Sequence, residues 1–513
     1  MYSRVVTGAV AGIESILATV EVDASKGMPG FEMVGQLNNE VREARERVRV
    51  ALKNASIDIP PMRITVSISP AEIKKEGASY DLPIAIGVLV SLGMIPEEGI
   101  RNTLIIGELG LNGEVRTVKG VLPIVRKAKL EKISRCIVPL ANVREGAIID
   151  GIEIIGVANL SETIEYLREV EERKTQRITP AIQTGMNDCE ELDIDVDFAD
   201  INGQAAVKRA VEVAASGFHH ILMIGPPGAG KTMIAKRIPT ILPDLSMEES
   251  LEVSTIYSVA GQLDDKRALI TKRPFLDPHH TISMQALAGG GRIPRPGIIS
   301  LAHRGVLFLD ELPEFRRSTL EILRQPLEDK RIHIARTYGS FVYPADFMLI
   351  AAMNPCPCGY YPDRNKCTCS ESEVKKYLSR ISGPIMDRID VMTEAPKVDI
   401  RQLSVKMHNE SSSEIRGRVL EARERQKYRY SNTRYQFNAE LGAGDIMKYC
   451  PLGTKEQKMM EEAFDKMNLS ARSYHKIIKV ARTIADLDNA ENINTSHLSE
   501  AICYRMNDSV YHR

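Results

Sequence analysis

The pattern of apolar and polar positions divides the chain into three regions with different predicted structures. Residues 1–171 alternate between helical segments and strand-like runs such as VVTGAV, ILATVEV and RITVSIS. Residues 196–400 contain short, entirely apolar runs, which are typical of strands buried on both faces of a parallel sheet. Residues 401–513 carry mainly helical patterns. We therefore expect an α/β multidomain protein with an N-terminal α+β domain, a central α/β domain and a helical C-terminal domain, in which a polar linker occupies 172–195.

The most specific local pattern is the run ILMIGPPGAGKT at 221–232. Its four apolar residues predict a buried strand, and the glycines that follow lack the Cβ atom that would keep the backbone away from a phosphate. Lys231 and Thr232 then open a helix whose free N–H groups attract the same anion. A complete G-x-x-x-x-G-K-T pattern between a strand and a helix predicts a P-loop for a nucleoside triphosphate. The predicted binding residues are Gly225, Pro226, Pro227, Gly228, Ala229, Gly230, Lys231, Thr232 and Met233.

Two further predicted strands end in polar side chains that suit nucleotide hydrolysis. The apolar run VLFL is followed by Asp310 and Glu311, and the run MLIAAM is followed by Asn354. We expect Asp310 and Thr232 to hold Mg²⁺, and Lys231 to neutralise the β- and γ-phosphates. Glu311 is expected to polarise the attacking water. The amide of Asn354 is suited to hydrogen-bond both that water and the γ-phosphate.

The overall composition excludes several other classes of protein. Lys and Arg number 67 against 68 Asp and Glu, so a nucleic-acid site has to be a local patch rather than a global field. No run of 18 apolar residues is present, and the first residues lack the pattern of a secretion signal. We therefore expect no membrane span and a cytoplasmic location. The eight cysteines are accordingly not expected to form a disulfide framework.

Four of the cysteines cluster in the spacing C-x-C-x8-C-x-C. Four thiolates in so short a loop are able to close a tetrahedral site, and we predict a structural Zn²⁺ bound by Cys356, Cys358, Cys367 and Cys369. The alternative is a set of reduced thiols in a surface loop, which would be reactive if exposed. His279 and His280 are also capable of binding metal, although we favour a role in positioning a loop or in a relay to the nucleotide.

Two charged stretches have two interpretations each. Residues 188–200 carry seven acids and no base, a pattern that favours a solvated edge over a metal site. Residues 401–434 carry nine Lys or Arg against four Asp or Glu, and they include a predicted helix. This helix presents either a solvated face or a surface directed toward DNA.

The order of P-loop, acid pair and polar strand tip is that of AAA+ ATPases, and the central domain resembles that superfamily. The resemblance implies ATP as the nucleotide and a ring of subunits, because AAA+ hydrolysis uses an arginine from the neighbouring subunit. Arg388, in GPIMDRIDV, matches this arginine finger, and Arg380 is the alternative. Arg472, at the start of the segment ARSYHKIIKVARTIADL, matches the sensor-2 arginine of the helical lid.

Two insertions are similar to those of magnesium-chelatase ATPase subunits and MCM helicases. The Gly/Pro-rich segment 277–305 resembles the helix-2 insert of that clade. The alternating segment 331–347 predicts a β-hairpin around a YGS turn, and it is similar to the pre-sensor-1 hairpin that MCM-type helicases place in their pore. This similarity makes Arg336, close to the hairpin tip, a predicted contact to DNA phosphate, with Arg292 in the insert as a second candidate.

The whole chain resembles the ComM/YifB family of magnesium-chelatase-like AAA+ proteins, and five motifs carry the resemblance: FHHILMIGPPGAGKT, DPHH–GGG–RP–SLAH, FLDELPEF, NPCPCG and SARSYHKIIKVARTIADL. The family implies a homo-hexameric, ATP-driven motor on single-stranded or branched DNA. Helicase or branch-migration activity in homologous recombination and natural transformation, together with recombination proteins as partners, is the corresponding expectation. The alternative is a magnesium-chelatase-type or MoxR-type chaperone that remodels a protein partner.

The same family resemblance implies a ribosomal-S5/Lon-protease-like fold for residues 1–171. Ser79 matches the position of the Lon serine, but Leu122 stands where the Lon lysine belongs. Lys119 is nearby and out of register by three residues. A serine without its base lacks the group that activates it, so we expect a scaffold rather than a peptidase.

Overall fold

The computed structural model describes residues 1–35, 37–71, 75, 77–169, 180–185, 196–263, 267–291, 294–336, 339–397 and 409–506. Its N-terminal strands are β1 (Tyr2–Ala11), β2 (Glu14–Ser25), β3 (Gly30–Val34), β4 (Arg63–Ser69), β5 (Thr103–Ile105), β6 (Glu108–Leu109), β7 (Val115–Arg116), β8 (Arg135–Pro139) and β9 (Glu153–Val157). Seven of them form a mixed sheet in the order β3-β4-β2-β1-β5-β8-β9, and β6 pairs with β7. The alternating apolar runs of the sequence supply the buried face of this sheet.

The helix Asp81–Ser91 is the centre of the N-terminal domain. Its sequence is almost entirely apolar, and nearly all of its residues are buried against β1 and β2. Gly87 permits a close approach, since a Cβ atom there would lie 2.8 Å from the Val22 side chain. The other helices of this domain are Asn39–Asn54, Glu97–Ile100, Val121–Leu130, Val143–Gly146 and Leu160–Arg168.

Part of the segment predicted as a linker is attached to the N-terminal domain. The Ala181 N–H group donates to the carbonyl of Ile154 in the edge strand β9 (2.8 Å), and the Thr184 N–H group donates to the carbonyl of Ala147 (3.0 Å). Residues 180–185 of the predicted linker are therefore hydrogen-bonded to the N-terminal domain. The remainder of that segment, including most of the acidic stretch, lies outside the described residues.

The central domain is built on a five-stranded sheet whose strands are all parallel. Its strands are β10 (Ile221–Ile224), β11 (Phe275–Leu276), β14 (Val306–Leu309), β17 (Met348–Met353) and β18 (Val391–Glu394). Their order in the sheet is β11-β14-β17-β10-β18. The residues of β10, β14 and β17 are buried, as expected for a sheet covered on both faces. Because the strands are parallel, the loops that follow them meet at one edge.

Shorter elements surround this sheet. Within the Gly/Pro-rich insert, β12 (Gly289–Gly290) pairs with β13 (Arg295–Pro296). The predicted hairpin consists of β15 (Arg331–Arg336) and β16 (Gly339–Pro344), which pair antiparallel. The helices of the region are Ala205–Gly217, Lys231–Ile241, Met247–Ala260, Met284–Ala288, Ile298–Leu301, Arg317–Glu321, Arg324–Asp329, Glu371–Leu378 and Gly383–Met386.

The C-terminal region is helical, and its basic helix packs on the chain itself. Its helices are Ser412–Arg429, Ala443–Tyr449, Thr454–Met467, Ala471–Leu487 and Thr495–Met506. In the first of them, Arg416 pairs with Asp244 at 2.5 Å, and Arg429 donates to Asp486 at 2.9 Å. Arg416 and Arg429 thus bind acids of the same chain, whereas Lys427 and Tyr428 of the same helix are exposed to solvent, and contact of this helix with DNA stays a prediction. Among all the described helices, none has the length and apolar character needed to cross a membrane.

Candidate nucleotide site and cysteine loop

The P-loop follows β10 at the edge where the strands of the central sheet end. Gly228 and Gly230 have φ angles of 77° and 81°, in the left-handed region that favours glycine. Gly225 has to be small for a different reason, because a Cβ atom there would lie 2.2 Å from the carbonyl oxygen of Ala395. The helix Lys231–Ile241 begins directly after the loop. Its first N–H groups are therefore available to an anion bound by the loop.

Lys231 connects the P-loop to the strand β17. Its Nζ donates to the carbonyl oxygens of Gly225 (2.7 Å) and Pro226 (3.1 Å), and to Oδ1 of Asn354 (3.2 Å). The side chain is buried, and burial lowers the pKa of its amine. The lysine and the amide predicted to act on one phosphate are thus in direct contact.

The acid pair lies beside the start of the P-loop helix. Thr232 Oγ1 donates to Asp310 Oδ2 at 2.5 Å, which brings together the two residues predicted to hold Mg²⁺. The backbone N–H of Glu311 donates to Asp310 Oδ1 at 2.9 Å, and Glu311 has a left-handed φ of 52°. The Glu311 side chain is 57% exposed. This geometry directs Asp310 toward the threonine and leaves Glu311 accessible to water.

His280 lies next to Glu311, a contact that the sequence did not predict. Its Nδ1 lies 3.6 Å from Glu311 Oε2, and its ring stacks on His279 with centroids 4.0 Å apart. Both histidines follow β11, which pairs with the strand that carries the acid pair. The pairing of these two strands is the reason for the contact. In the part of the chain that the structure describes, the histidines belong to no group of three or more candidate metal ligands.

Arg388, the predicted arginine finger, and Arg472, the predicted sensor-2 arginine, share one carboxylate. Arg388 Nη2 lies 2.5 Å from Glu328 Oε1, and Arg472 Nη2 lies 3.6 Å from the same oxygen. Arg388 is nearly buried, whereas the Arg472 side chain is 65% exposed. All three side chains line a cavity of about 280 Å³ between the central sheet domain and the C-terminal helices. The alternative finger, Arg380, lies elsewhere, and its guanidinium donates to the Glu314 carboxylate.

One of the two predicted DNA contacts lies within the described residues. Arg336 is the last residue of β15, and its register partner in β16 is Gly339. It therefore stands next to the hairpin tip, as its sequence position indicated. Arg292 lies outside the described residues.

The four clustered cysteines bring their sulfur atoms together. Distances are 3.3 Å for Cys356–Cys358, 3.8 Å for Cys356–Cys367 and 3.6 Å for Cys358–Cys367. With Cys369, all four sulfurs lie within 4.8 Å of one another. Four thiolates at the usual 2.3 Å from a tetrahedral zinc ion are separated by about 3.8 Å. The donor set and its spacing therefore fit Zn²⁺.

One thiol of this cluster is already acidic. Partial burial raises the pKa of Cys358, but hydrogen bonds from the Tyr360 N–H group and the Cys356 thiol outweigh it and lower the pKa to about 6. The pKa values of Cys367 and Cys369 in the same cluster are raised instead, so the donor set and its spacing carry the zinc assignment.

The positions related to a Lon-type dyad each have other contacts in the structure. Leu122, which replaces the lysine, is buried in the apolar core of its helix. The Lys119 side chain packs on Gly261 of the central domain, where a Cβ atom would lie 2.4 Å from the lysine Cε. The Ser79 carbonyl accepts a hydrogen bond from the Gly107 N–H group at 3.0 Å.

Comparison with protein-family models matches three parts of the chain to magnesium chelatase. Residues 197–403 match "Magnesium chelatase, subunit ChlI". Residues 20–142 match "Subunit ChlI of Mg-chelatase", and residues 409–505 match "Magnesium chelatase, subunit ChlI C-terminal". The matched regions include the P-loop, the acid pair, the cysteine loop and the segment that carries Arg472.

Individual relatives extend the similarity to almost the full length. The chain is 40% identical over 510 residues to the uncharacterized protein YifB of Escherichia coli, covering 99% of this chain and 98% of that protein. It is 40% identical over 507 residues to the competence protein ComM of Haemophilus influenzae, covering 98% and 97%. Lon protease 2 of Bacillus subtilis is 30% identical over 196 residues, covering 33% of this chain and 35% of that protein.

Proposed function

The chain belongs to the ComM/YifB family of magnesium-chelatase-like AAA+ proteins, and from this premise we propose that it is an ATP-driven motor that moves DNA strands. The observation that carries the proposal is the short connection between the hairpin and the nucleotide site. β16 ends at Pro344, β17 follows at Met348–Met353, and the next residue, Asn354, binds the P-loop lysine. A displacement of Asn354 during hydrolysis is therefore passed to the hairpin through one strand of the central sheet.

The proposed ATPase chemistry is divided among five side chains. Lys231 exchanges its carbonyl partners for the β- and γ-phosphate oxygens of ATP. Thr232 and Asp310 hold Mg²⁺, which supplies positive charge to those oxygens. Glu311 orients and polarises the attacking water, and Asn354 hydrogen-bonds the γ-phosphate. The contact between Thr232 and Asp310 and the exposure of Glu311 support these assignments.

We assign Arg388, as the arginine finger, to the interface with the next subunit of a homo-hexamer, and we place Arg472, the sensor-2 arginine of the lid, beside it. Their ion pairs with Glu328 put the two guanidinium groups side by side, so a nucleotide reached by one is close to the other. The γ-phosphate of an ATP bound by the neighbouring subunit is expected to compete with Glu328 for both arginines. Hydrolysis then depends on ring assembly.

We assign DNA contact to the hairpin tip, where Arg336 stands opposite Gly339. A guanidinium there binds a phosphate of single-stranded or branched DNA without reading its sequence. Arg292 is proposed as a second contact. The name of the relative ComM, a competence protein, supports a role in natural transformation and homologous recombination, with recombination proteins as partners.

We also propose that the cysteine loop binds one structural Zn²⁺ per chain. Sulfur–sulfur distances of 3.3–3.8 Å among Cys356, Cys358 and Cys367, with Cys369 within 4.8 Å of the others, support a tetrahedral site made by the four thiolates. The metal would replace the hydrophobic core that a loop of this length lacks.

A second candidate function is a chaperone of the magnesium-chelatase or MoxR type that remodels a protein partner. The matches to magnesium-chelatase subunit ChlI over 197–403 and 409–505 favour it. The 40% sequence identity to competence protein ComM, which extends over almost the full length of both chains, favours the DNA motor.

A branch-migration assay tests the motor directly. Purified full-length protein is added with ATP and Mg²⁺ to a labelled three-way DNA junction, and strand release is followed by gel electrophoresis. The motor is expected to release the strand with ATP, and the Glu311→Gln variant is expected to leave the junction intact. A junction that persists with active, ATP-hydrolysing protein would refute the DNA motor and favour the chaperone.

A further inference from the structure

The cysteine loop is in contact with the P-loop. Gly359, between the two cysteine pairs, lies against the ring of Pro227 at the P-loop tip. A Cβ atom at Gly359 would be 2.3 Å from Pro227 Cδ and 3.0 Å from Cγ, so the two loops approach too closely for a side chain at this position. The φ of Gly359 is 86°, which also favours glycine.

The position of Gly359 is set by the first pair of cysteines. Its N–H group donates to the carbonyl oxygen of Cys356 at 3.0 Å, which closes a tight turn over Cys356 to Gly359. Cys358 is the third residue of this turn, and the Tyr361 N–H group donates to Cys356 Sγ at 3.4 Å. A metal ion that joins Cys356 to Cys358 therefore fixes the same turn that presents Gly359 to the P-loop.

The second pair of cysteines closes the loop, which has little apolar core of its own. From Cys356 to Cys369 the chain contains no helix or strand, and only Cys356 and Gly359 are buried. The four sulfurs are consequently the principal contact that connects the first half of the loop with the second. On the P-loop side of this contact, Pro227 is exposed to solvent. A Cβ atom at the next residue, Gly228, would have no neighbouring atom within 4 Å. The P-loop tip thus relies on Gly359 for support on this face.

We propose that metal binding by the cysteine loop braces the P-loop through Gly359, so that loss of a thiophilic divalent cation such as Zn²⁺ weakens nucleotide binding although no cysteine contacts the nucleotide. The inference rests on the zinc site and the nucleotide site proposed above, and it does not depend on DNA or on ring assembly. It assigns the loop a regulatory role: the nucleotide affinity of the chain follows its metal content.

The first experiment compares metal-loaded and metal-free protein. Zinc is removed from the full-length protein with a chelator, the chelator is dialysed away, and Mg²⁺ is restored. Binding of a fluorescent ADP analogue is then titrated without DNA. We expect the Kd to rise by roughly tenfold on zinc removal, because the P-loop is no longer held against Gly359, and to recover when stoichiometric Zn²⁺ is added. Circular dichroism checks that the fold is retained.

The second experiment tests the contact itself while the cysteines stay intact. Gly359→Ala is expected to keep about one zinc per chain and to raise the Kd for the ADP analogue by a similar factor, because its methyl group displaces Pro227. Gly93→Ala is the matched control, since Gly93 also has a left-handed φ (73°) but no atom within 4 Å of its Cβ position. This control is expected to bind nucleotide as the parent does.

A Kd that is unchanged in zinc-free protein would overturn the inference, and so would a purified chain that holds no zinc. An unchanged Kd for Gly359→Ala with zinc retained would also overturn it. None of these results affects the DNA motor, which is judged by strand release. Conversely, failure of strand release leaves the link between zinc and nucleotide affinity intact.

Discussion

Arg388 is predicted to act on the nucleotide of a neighbouring subunit. Arg388 precedes β18 in the chain. Its guanidinium binds two groups of its own chain, the Glu328 carboxylate and the Pro384 carbonyl oxygen. Lys231, in contrast, binds the P-loop carbonyls and Asn354. The two side chains thus share no binding partner within one chain. We expect Lys231→Ala and Arg388→Ala to be inactive alone and to restore each other when mixed.

The size of the recovery follows from the head-to-tail arrangement of a ring. Loss of an arginine finger lowers the rate by about 10³- to 10⁵-fold, so each variant alone is effectively silent. In an equal mixture with random assembly, an interface works when an Arg388→Ala subunit supplies the P-loop and a Lys231→Ala subunit supplies the finger. These two conditions are each met about half the time, so about one quarter of the interfaces are competent. If the interfaces act independently, activity returns to about one quarter of the parental value and is highest at the equal ratio.

The assay is steady-state ATP hydrolysis across mixing ratios, after subunit exchange has been demonstrated by mass measurement of tagged and untagged rings. Arg380→Ala is the matched comparison, because Arg380 is the alternative finger and pairs with Glu314 instead of Glu328. We expect Arg380→Ala to retain most of its activity without a partner. If mixed rings form and no ratio restores hydrolysis, the assignment of Arg388 to the neighbouring nucleotide is wrong.

Three further predictions concern hydrolysis, metal and DNA. Glu311→Gln should bind ATP with parental affinity and hydrolyse it at least ~100-fold more slowly; parental turnover in a phosphate-release assay would remove Glu311 from the mechanism. Plasma emission analysis of protein purified without chelators should find about one zinc per chain, and none after Cys358 and Cys369 are changed to Ser; zinc-free parental protein would contradict the site. Arg336→Ala should keep ring assembly and basal ATPase but lose strand movement, and its DNA affinity should become less salt-dependent, by about 0.7 in the logarithmic slope for each phosphate that the arginine no longer neutralises. Normal branch migration by Arg336→Ala would show that the hairpin does not move DNA.

The elements of the nucleotide site follow closely from local sequence. A short apolar run predicts a buried strand, and parallel strands end at one edge, so the P-loop, Asp310 and Asn354 had to meet. The cysteine cluster was equally predictable from the sequence, because its four members lie within fourteen residues. In each case the interacting residues are either close in sequence or placed by the strands of one sheet.

Contacts between charged side chains that lie far apart in the sequence could not be predicted in the same way. The basic helix was assigned to solvent or DNA because its sequence shows charge but not partners, and Asp244 and Asp486 lie far from it along the chain. The carboxylate that Arg388 and Arg472 share depends on how the C-terminal helices pack on the central domain. The helical or strand periodicity of apolar residues indicates which face of an element is buried. It contains no information about which acidic side chain pairs with which basic one.

The ATPase rate of the purified parental protein, measured with and without single-stranded DNA, tests most directly whether ATP hydrolysis drives movement on DNA. We predict that single-stranded DNA raises the rate several-fold, that Arg336→Ala abolishes this rise while keeping the basal rate, and that high salt weakens it. An ATPase rate that single-stranded and branched DNA leave unchanged, and that rises only when a protein partner is added, would contradict the DNA motor.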